Sequence, residues 1–179
     1  AAGAADRPDA VELLDVTRMC NGLVQTFAEY AETHKVGYRT EVGEGMLFPS
    51  ARGRLSMVLN IVLSNAFRRS ETGGEVFFGV SVVLDRLRVV VSNRGEGVDL
   101  GQIEFLSDRY RLLDYLESRG KGGLSQKGDM ELAICHNLAA KLGGEFRIAS
   151  EGDVTTVTLS FPELEIARVT QPVLQVDMA

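Results

Sequence analysis

The sequence predicts an α+β fold, a two-layer α/β sandwich in which a mixed, largely antiparallel sheet packs on about three helices. Apolar residues recur at helical spacing in three long segments. Between and after these segments, β-branched runs alternate with short turns that contain glycine or aspartate. Helices and antiparallel strands in this order favour one sheet covered by helices.

Two long helices dominate the first half of the chain. Residues 1–9 lack any period and are expected to form a flexible N-terminus. A helix is predicted over 15–35, ending where Gly37 follows the last basic residue. A strand over 38–42 and a second helix over 50–69 come next. The apolar face of that second helix consists of Leu55, Val58, Leu59, Val62, Leu63 and Ala66.

The second half of the chain contains two predicted hairpins and one long helix. The predicted elements are strands over 75–84 and 86–92, a short helix over 108–118, a helix over 129–142, and strands over 145–150 and 154–161. Asp85 turns the first hairpin, and Gly152 with Asp153 turns the second. We therefore expect one domain over 10–162, followed by a C-terminal tail or linker over 163–179.

Composition excludes several classes of protein. A net charge of −6 argues against a nucleic-acid surface, because neutralising phosphates requires clustered Lys and Arg. Cys20 and Cys135 lie among apolar residues of predicted helices, which indicates reduced core thiols. No run approaches the ~20 apolar residues of a membrane span, so we expect no direct membrane contact. The expected location is cytoplasmic. The cytoplasmic part of a membrane-anchored receptor would fit the same composition.

Two polar features interrupt these apolar elements. Asn65 falls in the apolar run of the second helix, where a buried amide without partners costs about 1–3 kcal/mol. The β-branched strand over 88–92 stops at Asn93, and Gly95 and Gly97 follow at once. Glycines let the backbone approach a ligand closely or adopt positive φ. The helix amide and the glycine-rich strand end together predict a pocket.

The ordered segments resemble the ATP-binding catalytic domain of sensor histidine kinases, which belongs to a superfamily shared with gyrase, chaperone and mismatch-repair ATPases. Residues 63–66 (Leu-Ser-Asn-Ala) resemble the asparagine box of that family. Residues 93–97 (Asn-Arg-Gly-Glu-Gly) resemble its first glycine box, normally Asp-x-Gly-x-Gly. Residues 131–135 and 142–146 resemble the end of its second glycine box and the turn after it. The resemblance covers roughly residues 10 to 162.

This resemblance implies a site for Mg-ATP. It implies that Asn65 holds the magnesium and that the other cofactor-binding residues are Arg68, Asn93, Gly95, Gly97, Lys127 and Gly128. No catalytic residue is assigned within this chain, because the phosphate-accepting His would lie on a dimerisation domain outside it. The implied partners are that His-containing domain and a response regulator.

Four positions depart from the family pattern. Ile61 stands one turn before Asn65, where the family usually has a second polar residue, and Asn93 replaces the aspartate that accepts from the adenine amine. Asp129 and Glu131 replace glycines of the second box, bringing negative charge toward the expected triphosphate. Arg68 stands where the family has a phosphate-contacting lysine. It could bind phosphate or simply end the helix in solvent beside Arg69.

Two functional hypotheses follow. The first is the ATP-binding domain of a two-component sensor histidine kinase, which presents the γ-phosphate to a His outside this chain. The alternative is a pseudokinase lobe with lost or weak nucleotide binding that acts as a protein-interaction or signal-relay module. An anti-sigma-type kinase of the same superfamily is disfavoured, because the long N-terminal helix fits a kinase core joined to an upstream dimerisation domain.

Overall fold

The computed structural model describes residues 10–108 and 124–166, without the side chains of Leu106 and of residues 124–128. In chain order the elements are β1 (Val11–Asp15), α1 (Val16–His34), β2 (Gly37–Val42), β3 (Leu47–Ala51), α2 (Arg52–Arg69), β4 (Glu75–Val83), β5 (Arg86–Arg94), α3 (Leu100–Ser107), α4 (Leu124–Lys141), β6 (Glu145–Glu151) and β7 (Val154–Pro162). The expected flexible N-terminus, the predicted helix over 108–118 and residues 167–179 of the predicted tail lie outside the described residues, except for Asp108.

The main sheet has five strands in the order β2-β4-β5-β7-β6. Strands β2 and β4 are parallel, and the other neighbours are antiparallel. This confirms the predicted mixed, largely antiparallel sheet packed on helices. Each central strand buries alternate residues, as a period of two requires. The buried sheet residues are Val76, Phe78 and Val80 on β4, Leu87, Val89 and Val91 on β5, and Val157, Leu159 and Phe161 on β7.

A second sheet of two strands was not predicted. Strands β1 and β3 pair antiparallel, with Leu14 opposite Phe48, and both of these side chains are fully buried. Because β3 extends to Ala51, helix α2 begins at Arg52 rather than at residue 50. Two five-residue strands present too few alternations for a periodicity argument. The N–H of Leu164 donates to the carbonyl of Pro49 at 3.0 Å, so the chain after β7 contacts this small sheet.

Helix ends differ in detail from the prediction. Helix α1 is capped at its N-terminus by Asp15, whose side chain accepts from the N–H of Arg18 at 2.9 Å. It ends because Lys35, not Gly37, adopts a left-handed φ of 55° and donates its N–H to the last turn. Helix α4 begins at Leu124 instead of residue 129. Gly128 therefore lies inside this helix, which corrects the prediction that the helix starts after it.

The two cysteines lie where the sequence predicts them, in the core. Cys20 and Cys135 are free and fully buried, as predicted. Burial raises the pKa of both thiols to about 12, so they are protonated at neutral pH. Among the helices of the described residues, none combines the length and apolar character needed to cross a membrane.

Candidate functional site

Helix α2 carries Asn65 on its buried side. The helix packs against β5 and α4, and Asn65 is only 4 % exposed among the apolar residues of this face. Its amide oxygen is a hard donor of the kind that magnesium prefers. Within 10–108 and 124–166, no three His, Cys, Asp or Glu side chains cluster closely enough to hold a metal. A magnesium ion at Asn65 would therefore need phosphate oxygens and water as its further ligands.

The end of β5 places Asn93 in the interior. Leu87, Val89 and Val91 face the helices, so the next inward position on this strand is Asn93. Its register partner on β7 is Thr155, the first inward residue of that strand. Asn93 is 4 % exposed and Thr155 3 % exposed.

These two side chains have unfilled hydrogen-bonding capacity. Among the described residues, neither the amide nitrogen Nδ2 of Asn93 nor the hydroxyl Oγ1 of Thr155 has a hydrogen-bond partner. Buried polar atoms are nearly always paired in folded proteins, so two adjacent unpaired ones indicate a place for a ligand or water. Because the family resemblance implies that the base of a nucleotide lies at Asn93, we call Asn93 and Thr155 the base end of the candidate site. Sequence reasoning missed Thr155, because only the strand register reveals that it lies beside Asn93.

The two glycines after Asn93 have different roles. A Cβ on Gly95 would lie 2.0 Å from the carbonyl oxygen of Arg69, a distance that no substitution can tolerate without backbone movement. This close approach lets the N–H of Glu96 donate to the same oxygen at 2.9 Å. A Cβ on Gly97 would have Ser150 Oγ as its nearest neighbour, at 3.8 Å. Gly95 thus joins the loop to α2, whereas packing does not require glycine at position 97.

Two arginines at the end of α2 pair with two acidic residues of α4. Arg68 forms an ion pair with Glu131, and its side chain is 39 % exposed. Arg69 donates to Asp129 Oδ1 at 2.5 Å and to the carbonyl of Gly97 at 2.6 Å. Both side chains of the Arg69–Asp129 pair are only 8 % exposed. Because the family resemblance implies a phosphate contact at Arg68, we call these two ion pairs the phosphate end of the candidate site.

The phosphate end corrects one alternative considered for Arg69. Arg69 is not a solvated helix end, because it is buried and connects three segments of the chain. Burial raises the pKa of Asp129 above its ordinary 3.8, against the opposing effect of the charge and hydrogen bond of Arg69. The charge of Asp99 raises this pKa further, while a backbone hydrogen bond with Asp99 lowers it. One sequence signal could have revealed the pairing. Two adjacent basic residues end one helix, and two acidic residues, spaced two positions apart, lie near the start of another.

A groove of about 410 Å³ adjoins the exposed ion pair. Its lining consists of Phe27, Asn60, Ile61, Ser64, Arg68 and Glu131. It therefore brings Ile61 and Arg68 together, two positions that the family resemblance singled out. The side chain of Lys127 is outside the description, and Gly128 is part of α4.

The two ends of the candidate site differ in how readily they could accept a nucleotide. At the base end, the unpaired buried polar atoms of Asn93 and Thr155 suit a ligand that brings hydrogen-bonding groups. At the phosphate end, both arginines already have carboxylate partners, so a polyphosphate has to compete for them.

Comparison with protein families identifies the chain. Residues 51–165 match the model of the histidine kinase-, DNA gyrase B- and HSP90-like ATPase family. This chain belongs to that ATPase family. The match includes α2 with Asn65, the loop after Asn93, and α4, which are the elements that build the site.

Sensor histidine kinases are among its relatives. The chain is 26 % identical over 157 residues to the sensor histidine kinase WalK of Bacillus subtilis, and the match covers 86 % of this chain. It is 27 % identical over 162 residues to the sensor-like histidine kinase SenX3 of Mycolicibacterium smegmatis, with 90 % of this chain covered. These matches span only 25 % of WalK and 41 % of SenX3.

Solved histidine kinases share the fold. The catalytic domain of histidine kinase ThkA superposes with a TM-score of 0.69 at 15 % identity, covering 86 % of this chain and 95 % of that domain. Full-length ShkA in complex with AMPPNP superposes with a TM-score of 0.65 at 20 % identity, covering 92 % of this chain and 34 % of ShkA. ThkA in complex with the response regulator TrrA gives 0.66 at 16 % identity, covering 86 % of this chain and 42 % of ThkA. The fold is that of histidine kinase catalytic domains.

Proposed function

We propose that this domain binds Mg-ATP and presents its γ-phosphate to a His on a dimerisation domain outside this chain. In this proposal it is the catalytic domain of a two-component sensor histidine kinase, and a response regulator receives the phosphoryl group. The observation that carries the proposal is the pair of buried, unpartnered polar atoms on Asn93 and Thr155 in a chain of this ATPase family. The AMPPNP in the ShkA complex supports nucleotide as the ligand class.

The residues of this chain act by binding and positioning. Asn93 and Thr155 hydrogen-bond the base, and the loop around Gly97 lets the ligand approach the backbone. Asn65 contributes one oxygen to the magnesium, and Arg68 contacts the phosphates after exchanging Glu131 for them. When bound, Mg-ATP supplies the transferable phosphoryl group. Phosphoryl transfer depends mainly on such positioning and charge neutralisation, so no covalent step by a side chain of this domain is required.

Calorimetric titration of the chain with Mg-ADP and Mg-AMPPNP tests the proposal. We expect dissociation constants between about 1 µM and 1 mM. In this range the heat of binding is measurable, and the nucleotide concentration of a cell would saturate the site. Asn65→Ala should weaken binding at least about tenfold in the presence of magnesium, since the metal loses its protein oxygen. In the absence of magnesium, the same substitution should change the affinity much less.

Asn21→Ala is the matched control. Asn21 lies on helix α1, is exposed, and is not part of the groove beside Arg68. This variant should bind nucleotide like the unaltered chain. Absence of heat and of any thermal shift at millimolar nucleotide would contradict the proposal and leave the pseudokinase alternative. Equal losses in both variants would contradict the role of Asn65.

A further inference from the structure

We infer that Asn93 makes the base end accept guanine as well as adenine nucleotides. The inference rests on the proposed function, because it assumes that a nucleotide base occupies this end of the site. It starts from one atom, the buried Nδ2 of Asn93, which has no hydrogen-bond partner in the described part of the chain. An NH₂ group is a donor only, so it calls for an acceptor on the ligand.

A carboxylate and a carboxamide select different base edges. An ionised aspartate can only accept, so at this position it favours the 6-amino group of adenine and repels a 6-oxo group. A carboxamide carries one acceptor and one donor group side by side. Toward adenine, Oδ1 accepts from the 6-amino group while Nδ2 donates to N1. Toward guanine, Nδ2 donates to O6 while Oδ1 accepts from N1–H, so rotation of the amide by about 180° satisfies either base.

The two register partners of Asn93 impose no preference between the bases. On β4 its register partner is Val76, an apolar side chain, and on β7 it is Thr155. The hydroxyl of Thr155 rotates to donate or accept, so it serves either base. Asn93 is 4 % exposed, and water therefore cannot easily replace the ligand as partner of its amide. The carboxamide of Asn93 thus determines which base the site accepts.

Competition between purine nucleotides tests this inference on the unaltered chain. We expect Mg-ADP and Mg-GDP to bind with dissociation constants within about tenfold of each other. Mg-IDP should bind like Mg-GDP. Its base has the same 6-oxo and N1–H groups that contact Asn93, and the 2-amino group that it lacks does not take part in this contact. Asn93→Asp should shift the ratio of affinities toward ADP by at least about tenfold.

Asn21→Asp is the matched control for added charge, because Asn21 is exposed on α1. It should leave the ratio unchanged. A preference of a hundredfold or more for ADP in the unaltered chain, or an unchanged ratio in folded Asn93→Asp, overturns the inference while leaving the proposed function intact. If the folded chain binds no purine nucleotide at all, both are overturned. The measurements on the unaltered chain decide the question even if Asn93→Asp does not fold.

Discussion

The two ends of the candidate site differ in whether their polar groups are satisfied. At the base end, Asn93 Nδ2 and Thr155 Oγ1 are buried, and the described residues offer them no partner. At the phosphate end, Arg68 and Arg69 are each paired with a carboxylate of α4. Leaving a buried polar group unpaired costs about 1–3 kcal/mol, so a ligand would remove a cost at the base end, whereas the phosphate end would first have to release a partner.

The two ion pairs of the phosphate end are not equally easy to release. Arg68 is 39 % exposed, and ion pairs of this kind contribute only about 0–1 kcal/mol. The Arg69–Asp129 pair is 8 % exposed on both sides, and breaking such a pair leaves a buried charge behind. Arg68 is therefore the arginine that can turn to a phosphate, while Arg69 holds α2, the glycine loop and α4 together.

Asp129→Ala should produce the largest effect on stability. It removes the carboxylate partner of Arg69 and leaves a buried positive charge without a counter-charge there, which costs about 3–5 kcal/mol. Urea unfolding of the chain measures the loss. Asp153→Ala is the matched control, because Asp153 pairs with Arg94 at 3.6 Å and both side chains are 58 % exposed. That control should cost less than about 1 kcal/mol. Equal losses would show that the buried pair is not a structural connection.

Gly95→Ala should come next in size. The added Cβ would meet the Arg69 carbonyl at 2.0 Å, and overpacking of this kind costs about 1–3 kcal/mol. Gly97→Ala places its Cβ no closer than 3.8 Å to the nearest neighbour, so its stability should remain within about 0.5 kcal/mol. Urea unfolding and Mg-ADP titration of both variants separate the roles. A stable Gly95→Ala variant would show that the loop does not depend on this contact with α2.

Sequence patterns were sufficient for the main sheet but not for the pairings at its edge. Alternation over nine residues on β4, β5 and β7 gives enough repeats to define the inward face, and so to place Asn93. Thr155 and Arg69 were missed for a different reason. Their importance comes from which residues lie opposite them, 62 and 60 positions away in the chain, and a period within one element carries no such information.

The prediction for α4 considered the charges of its acidic residues without their partners. Asp129 and Glu131 were expected to oppose phosphates, and the structure shows that each already neutralises an arginine of α2. A charge read from the sequence has a sign but no partner, so its effect on a ligand could not be judged before the fold was known. The same limit applies to Arg69, which was considered a solvated helix end.

Glu131→Gln should raise the affinity for Mg-ADP. It releases Arg68 and removes a negative charge from the groove beside Ile61, which should strengthen binding by about 0.3–1 kcal/mol, or about two- to fivefold. The fold should be little affected, because this ion pair is partly exposed. Glu145→Gln, an exposed residue paired with Arg147 at 3.4 Å on β6, serves as the control and should leave affinity unchanged. Weaker binding in Glu131→Gln would mean that Glu131 itself helps to hold the nucleotide.

The smallest expected effect is a pH dependence of stability that originates at Asp129. Burial raises the pKa of its carboxyl above the ordinary 3.8, so between these two values the folded chain binds more protons than the unfolded chain. The stability that this proton contributes is fully present below pH 3.8 and is lost as the pH rises through the folded pKa. Asp129→Asn has no titrating group at this position, so its stability does not fall with pH for this reason. The difference in unfolding free energy between the unaltered chain and Asp129→Asn, measured by urea at a series of pH values, should therefore shift against the unaltered chain as the pH rises. A shift in the opposite direction would mean that the attraction of Arg69 for the ionised carboxylate of Asp129 outweighs the cost of burying that charge. The buried Arg69–Asp129 pair would then resemble the exposed Arg68–Glu131 pair in having little desolvation cost.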